Sequence, residues 1–236
     1  MELLIRIRGV FPLTKQVTAL LPAYNEEQRI GITISTLQEI PEIDKIIVIN
    51  DGSTDSTAEV VAQREVELLN LQSNQGKGGA LSAGIEVVDS DLICLLDADL
   101  GSSVGEVTKL LAPVRQGKAD MSIAKLPQPE TKGGFGLVTN LARWGIKYFT
   151  DFEPLAPLSG QRVLTKEVLK HVKGFAPDFG VETELTIKAL QAGFKVVEVP
   201  VEMKHRETGR NWAGFKHRGR QFKDVLAVLY REFRGE

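Results

Sequence analysis

Two aspartates separated by one residue are the strongest candidates for chemistry in this sequence. Asp97 and Asp99 directly follow the apolar run 92–96. In extended backbone, residues two apart point the same way, so both carboxylates can face one ion. Two like charges this close are unfavourable unless a cation lies between them, and carboxylate oxygens suit Mg²⁺ or Mn²⁺, which share their coordination shell with substrate phosphates. The pair therefore predicts a divalent-metal site for a phosphorylated substrate; the alternative is a turn and a helix cap.

Three more polar segments each follow an apolar run. They are residues 22–27, 50–55 and 74–79. In the last of them, Gly76-Lys77-Gly78-Gly79 opens a predicted helix, whose free N–H groups could bind a phosphate together with the lysine. The spacing of these glycines matches neither a P-loop nor a classical dinucleotide-binding motif. Asp51 and Asp55 also allow a simpler role, since either could belong to the cap or turn that starts the next helix.

The elements that position these segments alternate between strand-like and helix-like patterns. Short apolar runs predict strands at 17–21, 45–49, 67–71, 92–96 and 121–124. Amphipathic spacing predicts helices at 26–39, 56–64, 79–88 and 104–115. This alternation is typical of an α/β fold with a mostly parallel central sheet and helices on both faces. Because ligands bind beyond the carboxyl ends of such strands, the four polar segments are expected to share one crevice.

The second half of the sequence is less regular. Residues 131–151 are Gly-rich and then aromatic, and the prolines of 154–160 exclude a helix there. We predict a helix at 179–192, a strand at 194–201 and an amphipathic helix at 212–233. No change of composition marks a second domain, so we expect a single domain over residues 1–236.

Composition excludes several classes of protein. With 236 residues, of which 42% are hydrophobic and 25% charged, the chain can bury a sizeable core, which excludes intrinsic disorder. Cys94 is the only cysteine, which excludes a disulfide framework and a Cys-rich zinc site. No apolar run reaches the roughly 18–20 residues of a membrane span, and the first residues are too charged for a signal peptide. A cytoplasmic location is therefore expected.

Charge is distributed unevenly along the chain. Residues 203–236 contain nine Lys/Arg and four Asp/Glu, a net charge of +5, which leaves −7 for the rest given the total of −2. A basic segment on an acidic body predicts an anionic partner. One such partner is a substrate phosphate clamped by Arg206 or Arg210, where flanking glycines would let the segment act as a lid. The others are an anionic membrane surface or, with no partner, a solvated helix face.

The motifs resemble those of a known family. Leu21-Pro22-Ala23-Tyr24-Asn25-Glu26-Glu27, Ile49-Asn50-Asp51-Gly52-Ser53-Thr54-Asp55, Gly76-Lys77-Gly78 and Asp97-Ala98-Asp99 look like the nucleotide-sugar half of family 2-type glycosyltransferases, which have the GT-A fold. The resemblance implies that the turn at 22–26 and Asp51 hold the nucleoside, that Lys77 lies near the base or diphosphate, and that Asp99 binds the metal more directly than Asp97. The implied nucleotide-sugar site is Pro22, Ala23, Tyr24, Asn25, Glu26, Asp51, Ser53, Gly76, Lys77, Asp97, Ala98 and Asp99.

The second half is similar to glucosyl-3-phosphoglycerate synthases and related sugar transferases. The similarity lies in residues 157–162, 180–184 and 205–206. It implies that His205 completes the metal site with Asp97 and Asp99, and imidazole is compatible with Mn²⁺. The sequence departs from that group in being shorter and in having Asn50-Asp51 rather than two acids. The implied acceptor site is Leu158, Ser159, Gly160, Gln161, Glu182, Arg206 and Arg210.

Catalytic roles are implied for Asp99, Glu182 and Lys77. In an inverting transferase, one of the two carboxylates Glu182 and Glu184 would take the proton of the acceptor hydroxyl. In a retaining transferase, Glu182 would position hydroxyls of the sugar or acceptor. The simpler alternative for Glu182, and also for Glu184, is a favourable charge at a helix N-terminus.

The resemblance implies a metal-dependent glycosyltransferase that uses a UDP- or GDP-sugar. The implied acceptor is a hydroxyl or phosphate, as in a phosphorylated small molecule such as 3-phosphoglycerate. Polyprenyl-phosphate sugar transferases share the first-half motifs and a basic segment, so a lipid-phosphate acceptor at the inner face of the membrane is the main alternative. The long hydrophobic C-terminal spans of some such enzymes are missing here, and peripheral membrane contact would use the basic segment.

Two other functions are disfavoured by the sequence. Nucleotidyltransferases normally have a Gly-rich first turn, which residues 22–27 lack. A catalytically inactive nucleotide-sugar sensor is at odds with the intact set Asp97, Asp99 and His205. No nucleic-acid partner is expected, and a homodimer is compatible with the sequence. Within the single domain we expect a nucleotide-sugar half at 17–125, an acceptor half at 126–205, and a basic segment and helix at 206–236.

Overall fold

The computed structural model describes residues 15–127, 136–172, 175, 180–204 and 212–235, with side chains from residue 219 onward in the last range. Its described part forms one seven-stranded sheet with the strand order β3-β2-β1-β4-β6-β5-β7. The strands are β1 (Val17–Ala23), β2 (Lys45–Asn50), β3 (Glu67–Asn70), β4 (Leu92–Leu95), β5 (Met121–Lys125), β6 (Arg162–Thr165) and β7 (Val196–Pro200).

Helices cover both faces of this sheet. They are α1 (Ile30–Gln38), α2 (Thr57–Ala62), α3 (Gly76–Glu86), α4 (Val107–Arg115), α5 (Leu137–Thr150), α6 (Lys166–Val172), α7 (Val181–Gln191) and α8 (Trp212–Arg234). A 3₁₀ helix over Gly101–Glu106 leads into α4. The predicted α/β fold with a mostly parallel sheet is thereby confirmed. In the described ranges, no helix is long and apolar enough to cross a membrane.

The first four strands pair in parallel, as their sequence pattern predicts. Strand β1 lies between β2 and β4, and β2 pairs with β3. Ile47, Val48 and Ile49 are all fully buried, which is the pattern of a strand covered on both faces. The carboxyl ends of four neighbouring strands therefore lie along one edge of the sheet, where the four polar segments follow them.

The second half contains three elements that the sequence patterns do not predict, namely β6, α5 and α6. Strand β6 runs antiparallel between β4 and β5, while β7 pairs with β5 in parallel. The insertion of β6 beside β4 brings the residues just before it next to the end of β4. In this way the sheet joins the two halves of the chain at the site.

Two buried clusters cover the two faces of the sheet. On one face, Ile34 of α1, Leu110 of α4 and Leu21 of β1 belong to one cluster. On the other face, Leu81 of α3, Leu185 of α7 and Leu20 of β1 belong to the second. Alternate residues of β1 point to opposite clusters, as the two-residue period of a strand requires.

A third cluster lies where α5, α7 and α8 meet. It contains Ala142, Ile146, Ile187, Val225 and Leu229. Gly145 allows a close approach of α5 to α8, because a Cβ atom there would lie 2.2 Å from Cδ2 of Leu229. The predicted helix at 212–233 is confirmed by α8, and one side of α8 is held by this cluster.

Candidate active site

The first two polar segments interlock through Asn25. Its backbone is left-handed, with φ of 57°, a conformation that asparagine tolerates better than most residues. Its side-chain oxygen accepts a hydrogen bond of 2.8 Å from the N–H of Thr54, and its own N–H donates to Oγ of Ser53 at 3.0 Å. Asn25 and Ser53, both predicted for the nucleotide-sugar site, are therefore in direct contact.

Acidic side chains fasten the same two turns to the start of α2. The N–H of Glu27 donates to Oδ2 of Asp55 at 3.2 Å, and the carboxylate of Glu27 accepts from the N–H of Ser56 at 2.9 Å. Asp55 also accepts from the N–H of Thr57, the first residue of α2, at 3.0 Å. Partial burial on its own would raise the pKa of the Asp55 carboxyl. The hydrogen bonds from Thr57 and Glu27 outweigh this effect and hold the pKa below its ordinary value. Asp55 therefore belongs to the turn that starts α2, which is the simpler role that the sequence allows for it.

Asp51 joins the second polar segment to the third. The residue is buried, and its Oδ1 accepts a hydrogen bond of 2.7 Å from the N–H of Gln75, directly before α3. Gly52 has a φ of 66°, and a Cβ atom there would lie 2.8 Å from the backbone nitrogen of Asn74. The close approach of the two turns therefore requires both the carboxylate of Asp51 and the missing side chain of Gly52.

Lys77 lies at the centre of the site. Its ammonium is 2.8 Å from Oδ1 of Asp97 and 2.9 Å from Oε1 of Glu182. The side chains of Lys77 and Glu182 are only 21% and 8% exposed. Burial alone would lower the pKa of Lys77, but the two carboxylates outweigh it and raise that pKa above its ordinary value. The lysine is therefore a fixed positive charge that joins the end of β4 to the start of α7.

The loop before β6 closes over this ion pair. Gln161 exchanges two hydrogen bonds with Asp97, since its Nε2 donates to Oδ2 at 2.5 Å and its Oε1 accepts from the backbone N–H at 2.9 Å. A Cβ atom on Gly160 would lie 2.3 Å from Nζ of Lys77. Ser159 is buried beside these residues, and Leu158 packs against the third cluster.

Arg162 is a buried residue of this region that sequence reasoning missed. Its Nε donates to the carbonyl oxygen of Ser159 at 2.9 Å, and its Nη1 donates to Oγ1 of Thr186 at 2.8 Å. Burial lowers the pKa of Arg162 to about 10, against the opposing charges of Glu182 and Glu198. The arginine stays charged at neutral pH and fastens the loop before β6 to α7. The only signal in the sequence is a charged residue directly after the Ser-Gly-Gln loop.

The backbone between the two aspartates is also held from α1. Oγ1 of Thr33 donates to the carbonyl oxygen of Ala98 at 2.8 Å and accepts from the N–H of Gly101 at 2.9 Å. The guanidinium of Arg29, just before α1, donates to the carbonyl oxygen of Asp99 at 3.2 Å. Neither residue stands out in the sequence, and Thr33 sits inside a helical pattern that also fits a purely structural role.

Asp97 and Asp99 follow β4 as predicted and fit the oxygen chemistry of Mg²⁺ or Mn²⁺. Both carboxylate oxygens of Asp97 accept hydrogen bonds within the chain, and Asp99 is half-buried. Over the residues that the structure covers, no cluster of three or more His, Cys, Asp or Glu side chains could hold a metal ion. The predicted third ligand, His205, lies outside the described residues, as do Arg206 and Arg210.

The sequence model described as glycosyl transferase family 2 matches residues 18–162, more than half of the chain. The chain belongs to glycosyl transferase family 2. This assignment confirms the family resemblance of the motifs and the prediction that the protein is a glycosyltransferase.

The transferase is similar over most of its length to other proteins. An uncharacterized protein of Methanocaldococcus jannaschii is 30% identical over 207 residues, covering 81% of this chain and 83% of the relative. The dolichyl-phosphate beta-glucosyltransferase of Trichomonas vaginalis is 29% identical over 223 residues, covering 81% and 66%. One of the two groups of transferases that the sequence resembles, the polyprenyl-phosphate sugar transferases, is therefore represented among its relatives.

A solved structure supports the GT-A fold of the transferase. Glucosyl-3-phosphoglycerate synthase from Mycobacterium tuberculosis, crystallised in complex with Mn²⁺, uridine-diphosphate-glucose and phosphoglyceric acid, is 25% identical. Its TM-score is 0.75, and the match covers 91% of this chain and 78% of that chain. The predicted similarity to this group of synthases is confirmed.

Proposed function

We propose that the transferase moves a sugar from a nucleoside diphosphate sugar to a phosphate-bearing acceptor with the help of a divalent metal. The observation that carries this proposal is the position of Lys77, whose ammonium lies between Asp97 and Glu182. Asp97 belongs to the predicted donor and metal site, and Glu182 to the predicted acceptor site. The ion pair supports the proposal, because direct transfer between two substrates requires a donor site and an acceptor site side by side.

The donor is proposed to bind along the carboxyl edge of the parallel strands. The turn at 22–26 would hold the nucleoside together with Asp51, whose buried carboxylate already orders the glycine-rich turn. Helix α3 starts with Gly76, so its N-terminal N–H groups are suited to an anionic group. A structural relative crystallised with uridine-diphosphate-glucose favours a UDP-sugar over a GDP-sugar.

The metal is proposed to bind at Asp99, with Asp97 beside it and His205 as the third ligand. A divalent cation held by these residues would supply positive charge to compensate the leaving nucleoside diphosphate. Lys77 and Gln161 fix the carboxylate of Asp97 from the side, which holds the orientation of the Asp97-Ala98-Asp99 turn. The backbone bonds from Thr33 and Arg29 fix the same turn from the other side.

The acceptor is proposed to bind between the loop 158–161 and the start of α7. Glu182 is buried there and oriented by Lys77, so its carboxylate has a defined position. It would either take the proton of the acceptor hydroxyl or hold hydroxyl groups in place, depending on the stereochemistry of the reaction. Arg206 and Arg210 remain predicted ligands for an acceptor phosphate.

A polyprenyl phosphate is the second candidate acceptor. The dolichyl-phosphate transferase among the relatives favours it, whereas the phosphoglycerate complex among the structural relatives favours a small acceptor. Both are phosphorylated, so the same proposed site serves either of them.

An inactive sensor, the alternative from another class of function, would bind the donor without turning it over.

Product analysis tests the proposal. The protein is incubated with UDP-glucose and Mn²⁺ together with either 3-phosphoglycerate or a short-chain polyprenyl phosphate, and both UDP and glycosylated products are measured by mass spectrometry. We expect metal-dependent UDP release and a glycosylated product with one acceptor. A GDP-glucose arm controls for the base. If the protein binds UDP but neither hydrolyses UDP-glucose, even slowly, nor forms a glycosylated product, it is a sensor and not an enzyme.

A further inference from the structure

Helix α8 has an exposed apolar face in addition to its packed one. Phe222, Leu226, Tyr230 and Phe233 are exposed by 38%, 49%, 59% and 72%. We call these four residues the α8 stripe. Their spacing of four, four and three residues places them along one side of the helix. The residues that pack into the third cluster, Val225 and Leu229, lie on the neighbouring side, so the stripe does not serve the fold of the described chain.

Cations border the α8 stripe on its outer side. At about 100° per residue, the exposed Lys223 and Arg234 follow Tyr230 around the helix, and Arg220 comes next. The guanidinium of Arg234 lies 5.9 Å from the centre of the Tyr230 ring. The order around the helix is thus a packed side, an exposed apolar side and a cationic side.

The helix that packs against α8 also exposes large apolar side chains. On α5, Leu137, Trp144 and Tyr148 are exposed by 62%, 58% and 59%. The rings of Trp144 and Tyr148 stack with their centres 5.4 Å apart. The contact of Gly145 with Leu229 fixes the two helices against each other. Exposed tryptophan and tyrosine are typical of protein surfaces that meet the lipid–water interface.

We propose that the α8 stripe inserts into the interface of an anionic lipid bilayer, with α8 lying along the membrane surface. Aromatic and aliphatic side chains beside a row of cations form the pattern of such an interfacial helix, and the cations complement acidic lipid headgroups. A second copy of the chain is a poorer fit, because pairing the two stripes would bring the bordering cations of both copies together. The proposed surface uses no residue of the candidate active site.

Vesicle sedimentation tests this surface without any substrate. The full chain is mixed with vesicles of equal parts phosphatidylcholine and phosphatidylglycerol, or of phosphatidylcholine alone, at about 0.1 M salt. The double variant Leu226→Ser/Phe233→Ser removes half of the stripe, and Lys223→Gln/Arg234→Gln removes two bordering cations. Ile32→Ser, at an aliphatic residue of α1 that is 56% exposed, is the matched control.

We expect the wild type and Ile32→Ser to sediment with the anionic vesicles and not with the neutral ones. The stripe variant should bind at least about tenfold more weakly, in line with the apolar area it loses. The cation variant should bind about 25-fold more weakly, at about fivefold per charge. A wild type that does not sediment, or a stripe variant that sediments as the wild type does, would overturn the proposal. A dimer by light scattering that the stripe variant abolishes would also overturn it, in favour of a contact between copies.

Discussion

The ammonium of Lys77 lies 2.9 Å from the carboxylate of Glu182, and this ion pair links the start of α3 to the start of α7. The same ammonium lies 2.8 Å from Asp97. One positive charge therefore orients two carboxylates that belong to different proposed substrate sites. The side chain of Lys77 is only 21% exposed, and Gly160 leaves room for its ammonium between the two carboxylates. The position of Glu182 relative to the proposed metal site depends on this contact.

Gly160→Ala should disable the site without unfolding the protein. The new Cβ atom would lie 2.3 Å from Nζ of Lys77, and the flexible lysine can move away. Both ion pairs would then be lost, and we expect turnover to fall about hundredfold, as for a small misplacement of reacting groups. Gly219→Ala is the control, because a Cβ atom there meets nothing within 4 Å. Equal turnover of both variants in a UDP-release assay would show that the position of Lys77 is irrelevant.

Lys77→Met should destabilise the protein by about 3 kcal/mol, the lower end of the cost of breaking a buried ion pair. The pKa of Lys77 in the folded protein is raised above its ordinary value of 10.5. The contribution of Lys77 to the free energy of unfolding is therefore complete below pH 10.5 and is lost only at higher pH. The difference in unfolding free energy between wild type and variant should therefore be the same at pH 7 and at pH 9. Denaturant titrations at both pH values measure it. A clear decrease at pH 9 would mean that Lys77 is not held by its two carboxylates.

Glu182→Gln should lower turnover much more than donor affinity. The amide keeps the size of the side chain but removes its charge and its basicity, and the loss of a general base costs about a hundredfold or more. Glu184→Gln is the matched control, because Glu184 is equally buried but pairs with Lys188. Steady-state kinetics with varied donor should show a low kcat and an unchanged donor KM for Glu182→Gln. A variant with normal kcat would assign Glu182 to the fold alone.

Asp51→Ala should weaken binding of the donor nucleotide. A hydrogen bond to a charged group contributes about 1.5–3 kcal/mol, so we expect UDP to bind at least about tenfold more weakly. Asn74→Ala is the control, because it removes a hydrogen bond of 3.2 Å to Gly76 from the same turn but leaves Asp51 in place. Calorimetry that gives the same loss for both variants would mean that Asp51 only orders the turn.

Much of the donor side of the site could be predicted from the sequence. Strands β1, β2 and β4 are short, largely apolar segments that lead directly into a polar segment, and the shorter, partly apolar β3 precedes residues 74–79. Parallel pairing then forces the ends of neighbouring strands together, so the proximity of Asp51, Lys77 and Asp97 follows from local patterns. The amphipathic helix at 212–233 could also be predicted, because a local pattern of apolar residues specifies it.

The link to Glu182 could not be predicted in this way. It depends on β6, a four-residue strand whose first residue is the buried Arg162. Arginine in such a short segment gives no strand signal, and its partners Ser159 and Thr186 become neighbours only after β6 inserts beside β4. The exposed α8 stripe was also hidden, because the sequence does not show which apolar side of an amphipathic helix meets α5 and α7. The division of the chain at 125/126 and 205/206 stays a prediction.

The metal dependence of nucleotide binding tests the central claim most directly. Calorimetric titration of UDP is carried out with Mn²⁺ and with EDTA, on the wild type, on Asp99→Ala and on the control Asp89→Ala, which changes an exposed aspartate paired with Lys166. We predict that the wild type and Asp89→Ala bind UDP far more tightly with Mn²⁺ than with EDTA, and that Asp99→Ala binds equally weakly in both. Binding of UDP to the wild type that is absent, or that is the same with Mn²⁺ and with EDTA, would contradict the account.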